Sequence, residues 1–415
     1  MPQLHCCLGT GMSWQPGMDI PALRDSWSSV QKVGDEAVLY FYSHLFMAHP
    51  EVREMFPVSM TTQRGRFFAA LGHIVTNVDR IGADPTFIQQ LGRDHRKFQV
   101  VADHYPAAGA SLLATLQYFL GASWTDGLAA TWAEAYNAVA GIMIMAADKD
   151  NESAPAWWDA QVIATERRTI DIGLLRIRPT QPYPYIAGQS MAVQTPLRPR
   201  LWRYYTPANA PRPDGTLDLH VQIVAGGQVS AALARTVAVG DMLRLGAPIG
   251  TAFALPTDFR GNLLLVAGGT GLAPMTALIE QLDERWRDTG EVTNVNLFHG
   301  VRTQQNLYDH TFLCELARTR PWLDYTPVIS DDPAYPGARG PVGTVVAQNY
   351  RWRGETALIC GSTMMVAHTA SELRRAGVPA SALRFENFDG GHPDDSTPQT
   401  SAAPAGIAHE VTTWQ

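Results

Sequence analysis

Cysteine is scarce: there are four in 415 residues, two of them adjacent at Cys6 and Cys7, the others at Cys314 and Cys360 inside patterned segments. Adjacent cysteines disfavour pairing with each other, so no disulfide framework is expected. Basic charge is in deficit as well. The 32 lysines and arginines face 39 acidic residues, giving a net charge of -7 and a pI near 5.9. That leaves no broad basic surface for nucleic acid or anionic lipid. Long apolar runs are missing too; the longest, Ala138 to Ala147, falls far short of the roughly 20 residues of a membrane span. Met1 to Met18 lacks a basic start and a continuous apolar stretch, so it does not read as a secretory leader. A cytoplasmic location is expected, with no obligate protein partner.

What is present is enough apolar residue, 46%, to build sizeable cores. The length suggests about three domains at roughly 150 residues each. The periodicity agrees. Up to residue 147 it is helical: Leu23, Trp27, Val30 and Val33 form one stripe, and Val38, Phe41, Tyr42, Leu45 and Phe46 another. Asp84-Pro85 opens a helix whose stripe, Ile88, Leu91, His95 and Phe98, turns a histidine inward. Leu128, Trp132, Ala135, Tyr136, Val139, Ile142 and Met143 describe a long last helix. After a polar stretch the period changes. Ile170, Ile172 and Leu174, then Leu217, Leu219, Val221 and Ile223, alternate with other residues, which predicts antiparallel sheet with one wet face. From Arg260 the strands are uninterrupted apolar runs, Leu263–Val266 and Ala357–Cys360, between helices, the pattern of a parallel α/β sheet. The expected layout is an N-terminal extension (1–19), an all-α domain (20–147), a linker (148–157), an antiparallel β-barrel (158–258), an α/β domain (259–388) and a polar tail (389–415).

Gly268-Gly269-Thr270-Gly271-Leu272-Ala273-Pro274 follows a buried strand and precedes a helix, a junction where glycines let backbone amides approach a phosphate. Upstream lie Arg203-Tyr204-Tyr205-Thr206 and Gly226-Gly227-Gln228-Val229-Ser230, with Ser230 placed to cap a helix from Ala231. With Tyr185-Ile186-Ala187-Gly188-Gln189, Cys360-Gly361-Ser362 and Arg384-Phe385-Glu386-Asn387-Phe388, this order resembles the ferredoxin-NADP reductase superfamily over residues 158 to 388. The resemblance implies that Arg203 pairs with the FAD pyrophosphate, Tyr205 packs on the isoalloxazine, Thr206 keeps a hydroxyl near flavin N5, and Tyr185 is among the cofactor-binding residues. It implies further that Gln228, Val229 and Ser230 offer amides to the pyrophosphate. Gly269, Thr270, Gly271, Leu272, Ala273, Pro274, Cys360 and Gly361 would form the nicotinamide site, and Glu386 and Phe388 would close over the flavin edge. Arg302 would meet the adenosine ribose or stand as a surface arginine. NADH and NADPH both remain open.

In the helical part, Phe41-Tyr42-Ser43-His44-Leu45-Phe46, Pro50-Glu51, Met55-Phe56, Gln63-Arg64, His95-Arg96-Lys97-Phe98-Gln99, Tyr105 and Trp132-Ala133-Glu134-Ala135-Tyr136 follow the order of the globin half of flavohaemoglobins. Nearly the whole chain therefore resembles a flavohaemoglobin. On that resemblance His95 is the proximal ligand of haem b iron, Phe56 wedges against the haem, Tyr42 and Gln63 sit on the distal side, and Tyr105 supports His95. Two departures stand out. Ala147 occupies the position of the glutamate that usually makes the proximal histidine more basic, and Asp94 replaces the usual lysine before it, so altered proximal electronics are expected. Three residues are also missing between Phe56 and Gln63. The implied activity passes electrons from NAD(P)H through FAD to haem and converts oxygen and nitric oxide to nitrate. The departures keep a divergent oxidoreductase open (2-hydroxy acid oxidation, peroxidase or reductase), and a gas sensor is a third reading.

Overall fold

The structure, a computed structural model, describes residues 18–387. Cys6 and Cys7, Phe388 and the tail 389–415 lie outside the described residues.

Six helices come first: α1 (Ile20–Gln31), α2 (Asp35–Ala48), α3 (Thr61–Thr76), α4 (Thr86–His95), α5 (Tyr105–Leu120) and α6 (Asp126–Asn151). Each buries its apolar stripe, with Leu23, Trp27, Val30, Phe41, Tyr42, Leu45, Trp132 and Met143 all inside. Asp19 caps α1 through the Ala22 N–H at 2.9 Å, and Thr125 caps α6 through that of Leu128 at 3.2 Å. Helix α4 starts one residue later than Asp84-Pro85 suggests, with the Asp84 carboxylate accepting the Thr86 N–H at 3.2 Å. Helix α6 continues to Asn151, into the stretch read as linker. The cause is Arg96, whose guanidinium pairs with Asp150 and donates to Asn151 Oδ1 at 3.0 Å, so polar residues at the helix end are held rather than frayed.

The second unit is the antiparallel sheet: β1 (Trp158–Arg167), β2 (Ile172–Pro179), β3 (Ser190–Gln194), β4 (Arg203–Tyr205), β5 (Leu217–Gln222), helix α7 (Gln228–Arg235) and β6 (Met242–Ile249). The strand order is β4-β3-β6-β1-β2-β5, and a bridge between Pro207 and Leu219 brings the two edges together as a barrel requires. The expected wet face is not found on β5, where Asp218 and His220 are buried with their apolar neighbours. The third unit covers that face. Arg212 ties Asp218 to Glu280 across the junction, at 2.9 Å to each, and His220 meets the Tyr308 hydroxyl at 3.1 Å.

The third unit is wholly parallel, in the order β10-β9-β8-β7-β11-β12. Its elements are β7 (Leu263–Gly268), α8 (Leu272–Thr289), β8 (Val295–Val301), α9 (His310–Thr319), β9 (Leu323–Ile329), β10 (Ala338–Arg339), α10 (Val342–Asn349), β11 (Thr356–Gly361), α11 (Thr363–Arg375) and β12 (Leu383–Asn387). Central strands β7 and β11 are almost completely buried, which is why they read as unbroken apolar runs. No described helix is long and apolar enough to cross a membrane.

Candidate functional site

The apolar interior of the helical unit falls into two clusters, one around Tyr42, Phe41 and Trp132, the other around Val78, Ile88 and Met143. Many large apolar side chains packed against them, among them Phe46, Phe56, Phe67, Leu71, Leu91 and Val139, are only half-buried. Half-covered phenylalanines and leucines of this kind give a flat apolar group a surface to pack against. On α2, Tyr42 is 4% exposed, and its hydroxyl accepts from Gln63 Nε2 at 3.4 Å. Burial pushes its pKa up to about 12, so the phenol keeps its proton. The Phe56 and Phe46 rings pack on it at 5.4 and 5.7 Å. Tyr42, Phe56 and Gln63 are thus brought together despite the shortened connection between the last two.

His95 ends α4. Its Nδ1–H donates to the Leu91 carbonyl at 2.6 Å, one turn back, which fixes the tautomer and leaves Nε2 as the lone-pair nitrogen. Part of the ring stays open, yet the surrounding packing lowers its pKa, with the Leu91 carbonyl and Asp94 opposing. A neutral imidazole presented this way could hold a haem iron through Nε2. Gly92 allows the approach: a Cβ there would lie 2.3 Å from the Met143 carbonyl oxygen, so only glycine lets α4 rest on α6. Tyr105 opens α5 beside the same cluster, and burial raises its pKa to about 12. The acceptor at His95 is thus a backbone carbonyl.

Asp94 points away from the helical unit. Its Oδ2 accepts from Lys97 Nζ at 2.6 Å and from the Tyr204 hydroxyl at 2.9 Å, and Lys97 also donates to Tyr204 at 3.0 Å. Tyr204 is the middle residue of β4, between Arg203 and Tyr205. Sequence reading passes over Lys97, Tyr204 and Trp202, because contacts between units carry no periodicity; an inward lysine next to a candidate ligand is the one signal that points to them.

The expected flavin residues gather around β4 and α7. Arg203 is half-buried, and Tyr205 packs on the barrel core. Thr206 is buried with its hydroxyl 2.8 Å from that of Ser190. Tyr185 is also buried, but its hydroxyl is committed to Asn209, donating to that carbonyl at 3.1 Å. Helix α7 begins at Gln228 rather than Ala231, capped by Gly227, so Ser230 lies in the first turn rather than at the cap. The amides of Gln228, Val229 and Ser230 are then the ones that lack helical acceptors, which suits an anionic pyrophosphate better than a cap at Ser230 would.

The nucleotide residues converge at the ends of β7 and β11. Gly269 to Gly271 form a 3-10 turn feeding α8, so Leu272, Ala273 and Pro274 make its first turn. A Cβ on Gly271 would sit 2.2 Å from the Cys360 carbonyl oxygen, so the two motifs touch through bare backbone. Cys360 is fully buried, its thiol pushed well above the usual range by burial and by Glu386, its register partner on β12. His299 Nε2–H donates to the Gly269 carbonyl at 3.1 Å, a contact that the sequence alone does not reveal. Arg302 is exposed just after β8, with its carbonyl accepting from Asp331 N–H at 2.7 Å.

Comparison with known proteins follows the same three units. The globin family pattern matches residues 39–143, the oxidoreductase FAD-binding domain 160–253 and the oxidoreductase NAD-binding domain 265–371. A flavohemoprotein of Bacillus anthracis is 30% identical over 289 residues, 64% of this chain and 70% of that one. The ferredoxin–NAD(P)(+) reductase component of the naphthalene 1,2-dioxygenase system of Pseudomonas putida is 32% identical over 229 residues, 55% of this chain and 67% of its own. In fold, the chain matches the flavohemoglobin of Malassezia yamatoensis, solved with bound FAD and heme, with a TM-score of 0.74 over 91% of this chain and 100% of that one, at 19% identity. The chain belongs to the flavohaemoglobin family, built to hold haem, FAD and a nicotinamide dinucleotide.

Proposed function

We propose that this flavohaemoglobin is a nitric oxide dioxygenase, joining nitric oxide and oxygen to nitrate with one electron drawn from NAD(P)H. The observation that carries the reading is the buried Tyr42 hydroxyl with the Gln63 amide donating into it. When bound, FAD would supply the conversion of a hydride into single electrons, and haem would supply redox-active iron for oxygen chemistry. Tyr42 keeps its proton throughout the neutral range, and with Gln63 occupying a lone pair its O–H is free to donate to a polar ligand. Phe46, Phe56 and Phe67 exclude water around it, which strengthens that donation. His95 presents Nε2 with its tautomer fixed from behind by Leu91. Arg203 and the first-turn amides of α7 hold a pyrophosphate, while Gly269 to Gly271 seat the nucleotide. Tyr42→Phe should lower nitric oxide turnover by about a hundredfold, the usual effect of removing one preorganised donor, with NAD(P)H-to-flavin transfer near normal. Unchanged turnover would defeat the role given to Tyr42.

A second reading rests on His95. Its Nδ1 partner is a neutral carbonyl, which pushes less electron density onto iron than a carboxylate does. That favours a divergent member with weak nitric oxide activity, acting as another haem and flavin oxidoreductase. Side-by-side turnover with nitric oxide, peroxide and 2-hydroxy acids separates the two: faster turnover with either of the latter makes the second reading the right one.

A further inference from the structure

Lysine occurs three times in the chain, at 32, 97 and 149, among 32 basic residues. Lys32 and Lys149 are exposed on the helical unit, whereas Lys97 is 6% exposed. Its buried ammonium crosses from the helical unit into the flavin barrel. It pairs with the Asp94 carboxylate of its own unit at 2.6 Å and donates to the Tyr204 hydroxyl of the barrel at 3.0 Å, and it lies 5.0 to 6.0 Å from the ring centres of Tyr204, Phe98 and Trp202. The stem is seated too: a Cβ on Gly246 of β6 would be 3.5 Å from Lys97 Cδ. Phe98 continues the contact, edge-on to Trp202 at 6.4 Å and to His95 at 6.4 Å on its other side.

A buried ammonium is tolerated only while its carboxylate, hydroxyl and ring faces are all in place. Two of those partners, Tyr204 and Trp202, belong to the barrel, where the Lys97 stem also runs close to Gly246, while Asp94 and Phe98 belong to the helical unit. A slide of one unit on the other keeps the Asp94 pair but takes the Tyr204 hydroxyl and the Trp202 ring away from the buried ammonium, so the cluster favours one docking geometry. The residues it joins are the neighbours of the functional ones: Asp94 precedes His95, and Tyr204 sits between Arg203 and Tyr205.

We propose that Lys97 is a positioning residue for electron transfer from flavin to haem, fixing how closely the helix end bearing His95 lies against β4. The proposal rests on the electron path given above. The test uses the full chain loaded with haem and FAD. Acetylation by an N-hydroxysuccinimide ester, read by mass spectrometry, should modify Lys97 at least about tenfold more slowly than Lys32 and Lys149, with the excess lost in Tyr204→Phe, which keeps the ring and removes the hydroxyl. In the charge-free pair Asp94→Asn/Lys97→Met, anaerobic stopped-flow with NADH should show flavin reduction at the wild-type rate and haem reduction slowed roughly ten- to a hundredfold. Lys97 labelled as fast as the other two lysines would overturn the proposal. So would haem reduction at the wild-type rate in the double variant, or equal slowing of both steps, which marks a general structural defect. A wild-type protein that reduces flavin and leaves haem ferric would sink the proposed function instead, and the labelling of Lys97 would then decide the docking alone.

Discussion

Gly92 shows how a single residue sets the site. With the Met143 carbonyl already within 2.3 Å of where a Cβ would be, Gly92→Ala must push α4 off α6 and carry His95 with it. Overpacking of this kind costs about 1–3 kcal/mol, so a lower urea midpoint is expected together with a shifted haem absorbance band; a band and midpoint like those of the wild type would show that α4 has slack there. Tyr42, by contrast, is singled out by the flavohaemoglobin resemblance: its order relative to Phe56 and His95 marks it, where its place on an apolar stripe alone reads as a core aromatic. Gly92 is not, because an isolated glycine in a helix pattern does not say which backbone approaches it.

At the scale of elements, the strands that meet between the second and third units hold two buried imidazoles. Burial lowers the pKa of His220 on β5 and of His299 on β8 to about 4. An unfolded histidine titrates near 6.5, so between those values the unfolded chain binds the extra proton. Their contribution is therefore complete above about pH 6.5 and is lost as the pH falls through 4, by an amount on the order of 3 kcal/mol each. Asp309, whose pKa burial raises, works in the opposite direction, so the comparison must be with a variant. His299→Gln, which keeps a donor for the Gly269 carbonyl, should flatten the fall in urea midpoint between pH 6.5 and 4.5; an identical fall would remove His299 from the account. The period-2 pattern of β5 correctly predicts a strand, yet it assigns His220 and Asp218 to solvent. Alternation reports which residues face the barrel core, not what covers the other side.

For the whole molecule, two changes of period along the chain are sufficient to divide it into helical, antiparallel and parallel units, since each packing layer imposes its own spacing on apolar residues. What no periodicity contains is how the units meet. Arg96 holding the end of α6, Arg212 bridging Asp218 to Glu280, and Lys97 entering the barrel are polar contacts between residues far apart in sequence. Such contacts fix how the three domains meet, and on the proposed function they hold the flavin unit against the haem unit. The most direct measurement is an anaerobic absorbance titration of the holoprotein, first with NADH and then with NADPH, following flavin and haem together. The account predicts that flavin bleaching is followed by conversion of ferric to ferrous haem. Full flavin reduction with a haem that stays ferric would contradict it.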